Sequence, residues 1–204
     1  MEAPNFDELL TAGLPAAIVA ALYAARDFFR SRTRAGLERI LDEHRQLREV
    51  CETLVADTRA RRASVICIEE EGPTKIFSTV IADASAPPLR SLVTTWVQVP
   101  VVNGYAKVVH RISDQKVTRI ITESLDEGSS LRAQFESEGV TWAKAAVIRR
   151  GQKRGATKRL FYLSLNFVNG DGQTELTPRE EVALRVAAER LKRILGPNSA
   201  LATI

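Results

Sequence analysis

The chain has 204 residues, 45% of them hydrophobic and 26% charged, with a net charge of +4 at neutral pH. So small a positive excess disfavours nucleic acid as a partner, whose binding rests on many cation–phosphate contacts. Two cysteines and two histidines are too few for a disulfide scaffold or a clustered metal site, and the cysteine usage suits a reducing compartment.

Residues 9–25 carry no charge, and Arg26, Arg30, Arg32 and Arg34 follow against a single Asp27. A membrane-spanning helix needs about 20 apolar residues, whereas a run of about 10–14 more often belongs to a buried helix. The seventeen residues here, interrupted by Pro15, fall between. Phe28 and Phe29 lengthen the apolar surface, and Arg26 and Arg30 can reach the interface. The segment reads as a single-pass cell-membrane anchor. The positive-inside rule then sets the rest of the chain in the cytoplasm. The acidic start (Glu2, Asp7, Glu8) argues against a cleaved signal peptide. The competing reading is a soluble helix packed on a core or a partner. Small residues at four-residue spacing, Ala12, Ala16, Ala20 and Ala24, permit close helix approach in either setting.

Residues 37–58 place Leu37, His44, Cys51 and Thr58 at one heptad position and Ile40, Leu47 and Leu54 at the other. This predicts a helix with one narrow apolar seam, used either for a coiled-coil homodimer or against its own domain. Arg59, Arg61 and Arg62 cluster at its end, where cations complement the helix dipole or meet a phosphate.

From residue 63 the pattern becomes extended. Residues 63–70 and 75–82 are β-branched runs around a Glu-Gly-Pro-Thr turn, a hairpin. Residues 83–115 read as irregular, with a short helix from Leu89 to Trp96 that Pro100 and Asn103-Gly104 break. A strand over 117–122, a helix over 129–138 and a second hairpin over 142–149 and 159–168 follow. A helix from Pro178 to Leu195 closes the domain, with Thr177 as N-cap, Glu180 and Glu181 in its first turn and Gly196-Pro197 as its stop. The order predicts an α+β fold, an antiparallel sheet flanked by helices. It divides the chain into an apolar helix (1–30), a connecting helix (31–62), a domain (63–196) and a C-terminal tail (197–204).

Residues 138–148 (EGVTWAKAAVI), 159–167 (RLFYLSLNF) and 175–181 (ELTPREE) resemble, in this order, the strand entry, outgoing strand and final-helix start of the GAF family of small sensory domains. The resemblance implies a five- or six-stranded sheet with a small-molecule pocket on one face, and dimerisation through flanking helices. The sequence departs from the cyclic-nucleotide-binding members, lacking their Asn-Lys-Phe-Asp-Glu set, and has no cysteine in the irregular segment that would attach a bilin. It implies no particular ligand or cofactor.

No nucleophile motif, phosphate loop or dinucleotide signature is found, so no catalytic residue is expected. Trp96, Tyr105, His110 and Trp142 are the candidate ligand-binding residues, expected to line the pocket. Arg149, Arg150, Lys153, Arg154, Lys158 and Arg159 put six cations in eleven residues, and are expected to contact an anion or lipid headgroups. The expected function is a membrane-tethered, non-enzymatic sensory module, homo-oligomeric, acting on a protein partner. The alternative is a structural or assembly protein, viral or of a mobile element, whose apolar N-terminal helix packs in a multi-subunit complex.

Overall fold

The longest buried runs lie on strands. Residues 62–68 and 159–167 are buried without interruption, which a strand achieves only when both faces of its sheet are covered. The computed structural model describes residues 16–71, 75–152, 158–168, 173–197 and 199–203. Its elements are α1 (Ala16–Asp57), β1 (Arg62–Glu70), β2 (Ile76–Ser85), β3 (Val99–Pro100), α2 (Asn103–Asp114), β4 (Val117–Ile121), α3 (Ser130–Glu138), β5 (Val140–Gln152), β6 (Lys158–Val168), α4 (Pro178–Ile194) and α5 (Ala200–Thr203). Two compact units divide the chain, Met1–Asp42 and Glu43–Ile204. Helix α1 supplies the described part of the first and opens the second.

The second unit has the expected α+β architecture. Six strands run in the order β3–β2–β1–β6–β5–β4, each neighbouring pair antiparallel. Alternate residues of the central strands feed two cores. Ala63, Val65, Cys67, Phe161, Leu163 and Leu165 join Leu47, Leu54, Leu184 and Leu191 on one face. Ile66, Ile68, Leu160 and Tyr162 join Trp96, Val108, Ile112 and Phe135 on the other.

Local chemistry sets the helix ends. Thr177 accepts from Glu180 N–H while Glu180 returns to the Thr177 N–H, a capping box with Pro178 at the first turn. Helix α3 opens on Ser129, which accepts from Arg132 N–H, and closes on Gly139 in the left-handed region (φ 68°). The apolar seam of α1 is buried at Leu47, Val50, Cys51 and Leu54 within its own domain, while Leu37 and Leu41 are exposed.

Two expectations change. The segment from Leu89 to Trp96 is not helical: Asp83 accepts from Ser91 Oγ (2.7 Å) and Leu92 N–H (2.6 Å), and Val80 N–H donates to Trp96 O (2.9 Å), tying the segment to β2. Residues 103–114, read as irregular, form α2. Gly104 is there for packing rather than as a breaker, because an added Cβ would stand 2.5 Å from Asp126 Cβ. In the tail, Glu43 accepts from Ser199 Oγ and from the N–H groups of Ala200 and Leu201, docking α5.

In the apolar segment, residues 9–15 lie outside the described residues and 16–25 are helical. Among the described residues, no helix is long and apolar enough to cross a membrane.

Candidate ligand-binding site

The sequence-predicted ligand residues divide over three places. Trp96 and Tyr105 meet on the α2–α3 side of the sheet, ring centroids 6.0 Å apart and edge to face. Both donate to Ser78 Oγ, Trp96 Nε1 at 3.0 Å and Tyr105 OH at 2.8 Å. The hydroxyls of Tyr105 and Tyr162 lie 3.2 Å apart. Burial raises both phenols above their ordinary range, outweighing at Tyr105 the opposing effect of the polar neighbours Ser78, Tyr162 and Trp96. The cavity beside these rings is about 30 Å³, the space of about one water. These aromatics therefore form core, and their polar atoms satisfy one another.

Trp142 is on the opposite face of the sheet, stacked on Phe167 at 3.9 Å. It shares no pocket with Trp96 and Tyr105, since Phe167 and Trp142 belong to the α1–α4 core. His110 stands on the outer side of α2, its side chain 81% exposed and Nε2 3.5 Å from Asp114 Oδ2.

The predicted cations also separate. Arg149 Nη1 donates to Leu195 O at the end of α4. Arg159 is buried and paired with Glu69 at 2.6 Å, and Lys158 lies 3.4 Å from Glu70. Arg150 is exposed. Lys153 and Arg154 lie outside the described residues. The arginines after α1 part likewise. Arg59 holds Glu180, and Arg62 is fully buried against Glu138 at 2.7 Å, so neither presents a free group to a phosphate.

One cleft unites members of the two predicted sets. It measures about 680 Å³ and is lined by His110, Arg150, Lys158 and Arg159 around Ile68, Ile76, Val101, Ala106, Val109 and Leu160. Strand pairing brings the cations together, with Arg150 opposite Leu160 and Gly151 opposite Arg159. Its size falls within the range of about 300–1,000 Å³ typical of small-molecule sites. A second cleft, of about 880 Å³, lies between α4 and the β4–β5 edge and mixes Lys144, Arg149 and Arg185 with Asp114, Glu181 and Glu189. The aliphatic floor of the first cleft depends on α2, whose sequence signal is the helical spacing of Tyr105, Val108, Val109 and Ile112. Among the described residues, no group of three or more His, Cys, Asp or Glu could hold a metal ion.

No protein-family model and no curated protein matches the chain. Among solved structures, a far-red cyanobacteriochrome photoreceptor aligns over 89% of this chain and 96% of its own, with a TM-score of 0.52 and 11% identity. The fold is GAF-like. A bacteriophytochrome of the photosynthetic bacterium R. palustris aligns over 84% of this chain and 37% of its own, with a TM-score of 0.50 and 13% identity. The chain spans 60–62% of the phytochrome chromophore-binding domains of Stigmatella aurantiaca and R. palustris that it also matches. In this GAF-like domain the centre of the sheet face under α2 and α3 is filled by its own side chains, and the open space lies at the edge beside α2.

Proposed function

We propose that this chain is a non-enzymatic sensory or regulatory module, tethered to a membrane by residues 9–25 with its GAF-like domain on the cytoplasmic side. The observation that carries the reading is the cleft beside α2, where His110, Arg150, Lys158 and Arg159 stand around an aliphatic floor. A site of that kind holds a ligand by apolar burial and orients it by charge. The charge-free run and its arginine collar support the tether. Exposed Leu37 and Leu41, one turn apart on α1, offer an apolar stripe to a second copy.

The test is a thermal-shift screen of a metabolite panel on the full chain and on Arg150→Glu and Ala106→Trp variants. A compound that raises the melting temperature of the parent chain and not of the variants supports the cleft as the sensory site. A panel without any cleft-dependent compound rejects it. Carbonate extraction of membranes tests the tether, which fails if the chain is released.

One observation favours the structural or assembly reading instead. The sheet face over which a GAF ligand would lie is packed to about 30 Å³, as expected where the fold serves without a ligand. Molar mass by size exclusion with and without detergent separates the two. A defined oligomer without detergent supports assembly, and detergent dependence supports the tether.

A further inference from the structure

The cleft beside α2 is asymmetric in both charge and surface. Ile68, Ile76, Val101, Ala106, Val109 and Leu160 supply only aliphatic surface, and the lining includes no Phe, Tyr or Trp. The ring that the lining does supply, the imidazole of His110, is 81% exposed, so a nucleobase or other flat ring would find no buried ring to stack on, whereas a flexible alkyl chain needs none. The cations come from the ends of two paired strands, β5 and β6. Arg159 is matched by Glu69 and Lys158 by Glu70. Arg150 has no ion-pair partner among the described residues. With Glu70 also lining the cleft, a polyphosphate would meet a like charge at short range, and among the described residues one negative charge completes the balance.

We infer that this cleft binds a single-chain amphiphile with one anionic head, a long-chain carboxylate, its head at Arg150 and Lys158 and its chain over the aliphatic floor. The inference rests on the reading of this cleft as the ligand site of the domain. Arg150 supplies the uncompensated charge and the floor supplies the apolar burial, so head and chain are each required.

The experiment uses the full chain and its two histidines as reporters. His110 lines this cleft, whereas His44 lies apart from it, beside Ile81 and Asp83. Dodecanoate, dodecanol and hexanoate are titrated below their aggregation concentrations while the imidazole NMR resonances are followed. Dodecanoate should shift His110 saturably and leave His44 unmoved, binding about tenfold or more tighter than either dodecanol or hexanoate. Arg150→Glu should weaken that binding by about tenfold, and Val109→Asn, which adds no charge, should weaken it independently of the head group.

Equal affinity for hexanoate and dodecanoate would overturn the inference, because the site would then read the head alone. Equal affinity for dodecanol would overturn it from the other side. A His110 shift insensitive to both substitutions also sinks it. Adenosine monophosphate serves as the separating probe. If it shifts His110 in an Arg150-dependent way and dodecanoate does not, the amphiphile is wrong and the cleft still binds ligand; if neither does, and the metabolite panel gives no cleft-dependent compound, both readings fall.

Discussion

Arg59 and Glu180, 121 residues apart, lock the end of α1 to the start of α4. Arg59 Nε donates to Glu180 Oε1 at 3.0 Å, Nη2 to Oε2 at 2.9 Å, and the Arg59 backbone N–H to Oε1 at 2.9 Å. The same carboxylate receives the Thr177 N–H at 2.8 Å. One side chain thus completes a helix cap and joins two helices of the same core. Burial alone would raise its pKa, but the Arg59 and Thr177 hydrogen bonds outweigh that and hold it down at about 2.

This carboxylate is expected to shape the acid limb of the stability curve. Its folded pKa lies below the ordinary 4.5, so its contribution is present above that pH and is lost as pH falls toward 2. Glu180→Gln should cost about 2–3 kcal/mol at pH 7 and flatten the loss between pH 5 and 2. Urea unfolding of both proteins across that range measures it. An unchanged acid slope in Glu180→Gln would assign the acid sensitivity to other groups.

The Cys51 thiol should be inert in the folded state. Burial, reinforced by the negative charge of Asp83, pushes it up to about 12, and the thiolate is the reactive form. Its raised pKa contributes stability below the ordinary 9.0 that is lost as pH rises toward 12. Cys67 is buried as well. At pH 8, labelling of both by a thiol reagent should proceed at the rate of global unfolding. Labelling of Cys51 faster than unfolding would reveal a local opening of α1.

The elements legible in the sequence were those whose signals are local. The Thr177 cap with Glu180 and the β-branched hairpins each lie within a few residues of the element they define. What was not legible depends on distant partners. Helix α2 was hidden because Gly104 reads as a breaker, and only its approach to Asp126 explains it. The turns at 89–96 are held by Asp83 and Val80 of another strand. The aromatic set suggests one pocket because the residue type says nothing about which face of the sheet Trp142 takes. Strand parity decides that, and the bulge between Val140 and Trp142 shifts it. His110 and the cations of β5 and β6 were visible as residues, while their shared cleft needed the position of α2.

The Tyr105–Tyr162 contact should act on stability rather than on ligand binding. Tyr105→Phe leaves Trp96 Nε1 still donating to Ser78 Oγ but strands the buried Tyr162 hydroxyl, so the cost should be about 1–3 kcal/mol. Both phenols are raised by burial, so their contribution holds below about pH 10 and is lost as pH climbs beyond it. Of the three tyrosines, Tyr105 and Tyr162 should form phenolate only as the domain unfolds. A spectrophotometric titration checks this, and reversible ionisation of either near pH 10 in the folded protein would contradict the packed centre.

The Arg62–Glu138 pair should show an unequal cost for its two halves. Arg62 Nη1 and Nη2 meet the two Glu138 oxygens at 2.9 and 2.7 Å, and Nη1 also donates to Arg90 O at 3.2 Å. The Arg62 side chain is wholly buried, whereas that of Glu138 is 14% exposed. Removing the carboxylate strands a cation that cannot reach water, so Glu138→Ala should cost about 3–5 kcal/mol. Removing the arginine leaves a carboxylate near the surface that rehydrates, so Arg62→Met should cost less. The double variant Arg62→Met/Glu138→Ala strands neither charge and should be more stable than Glu138→Ala alone. Urea denaturation of the four proteins gives the cycle. Additive costs would mean that the two groups contribute independently, and that burial of Arg62 is compensated by its bond to Arg90 rather than by Glu138.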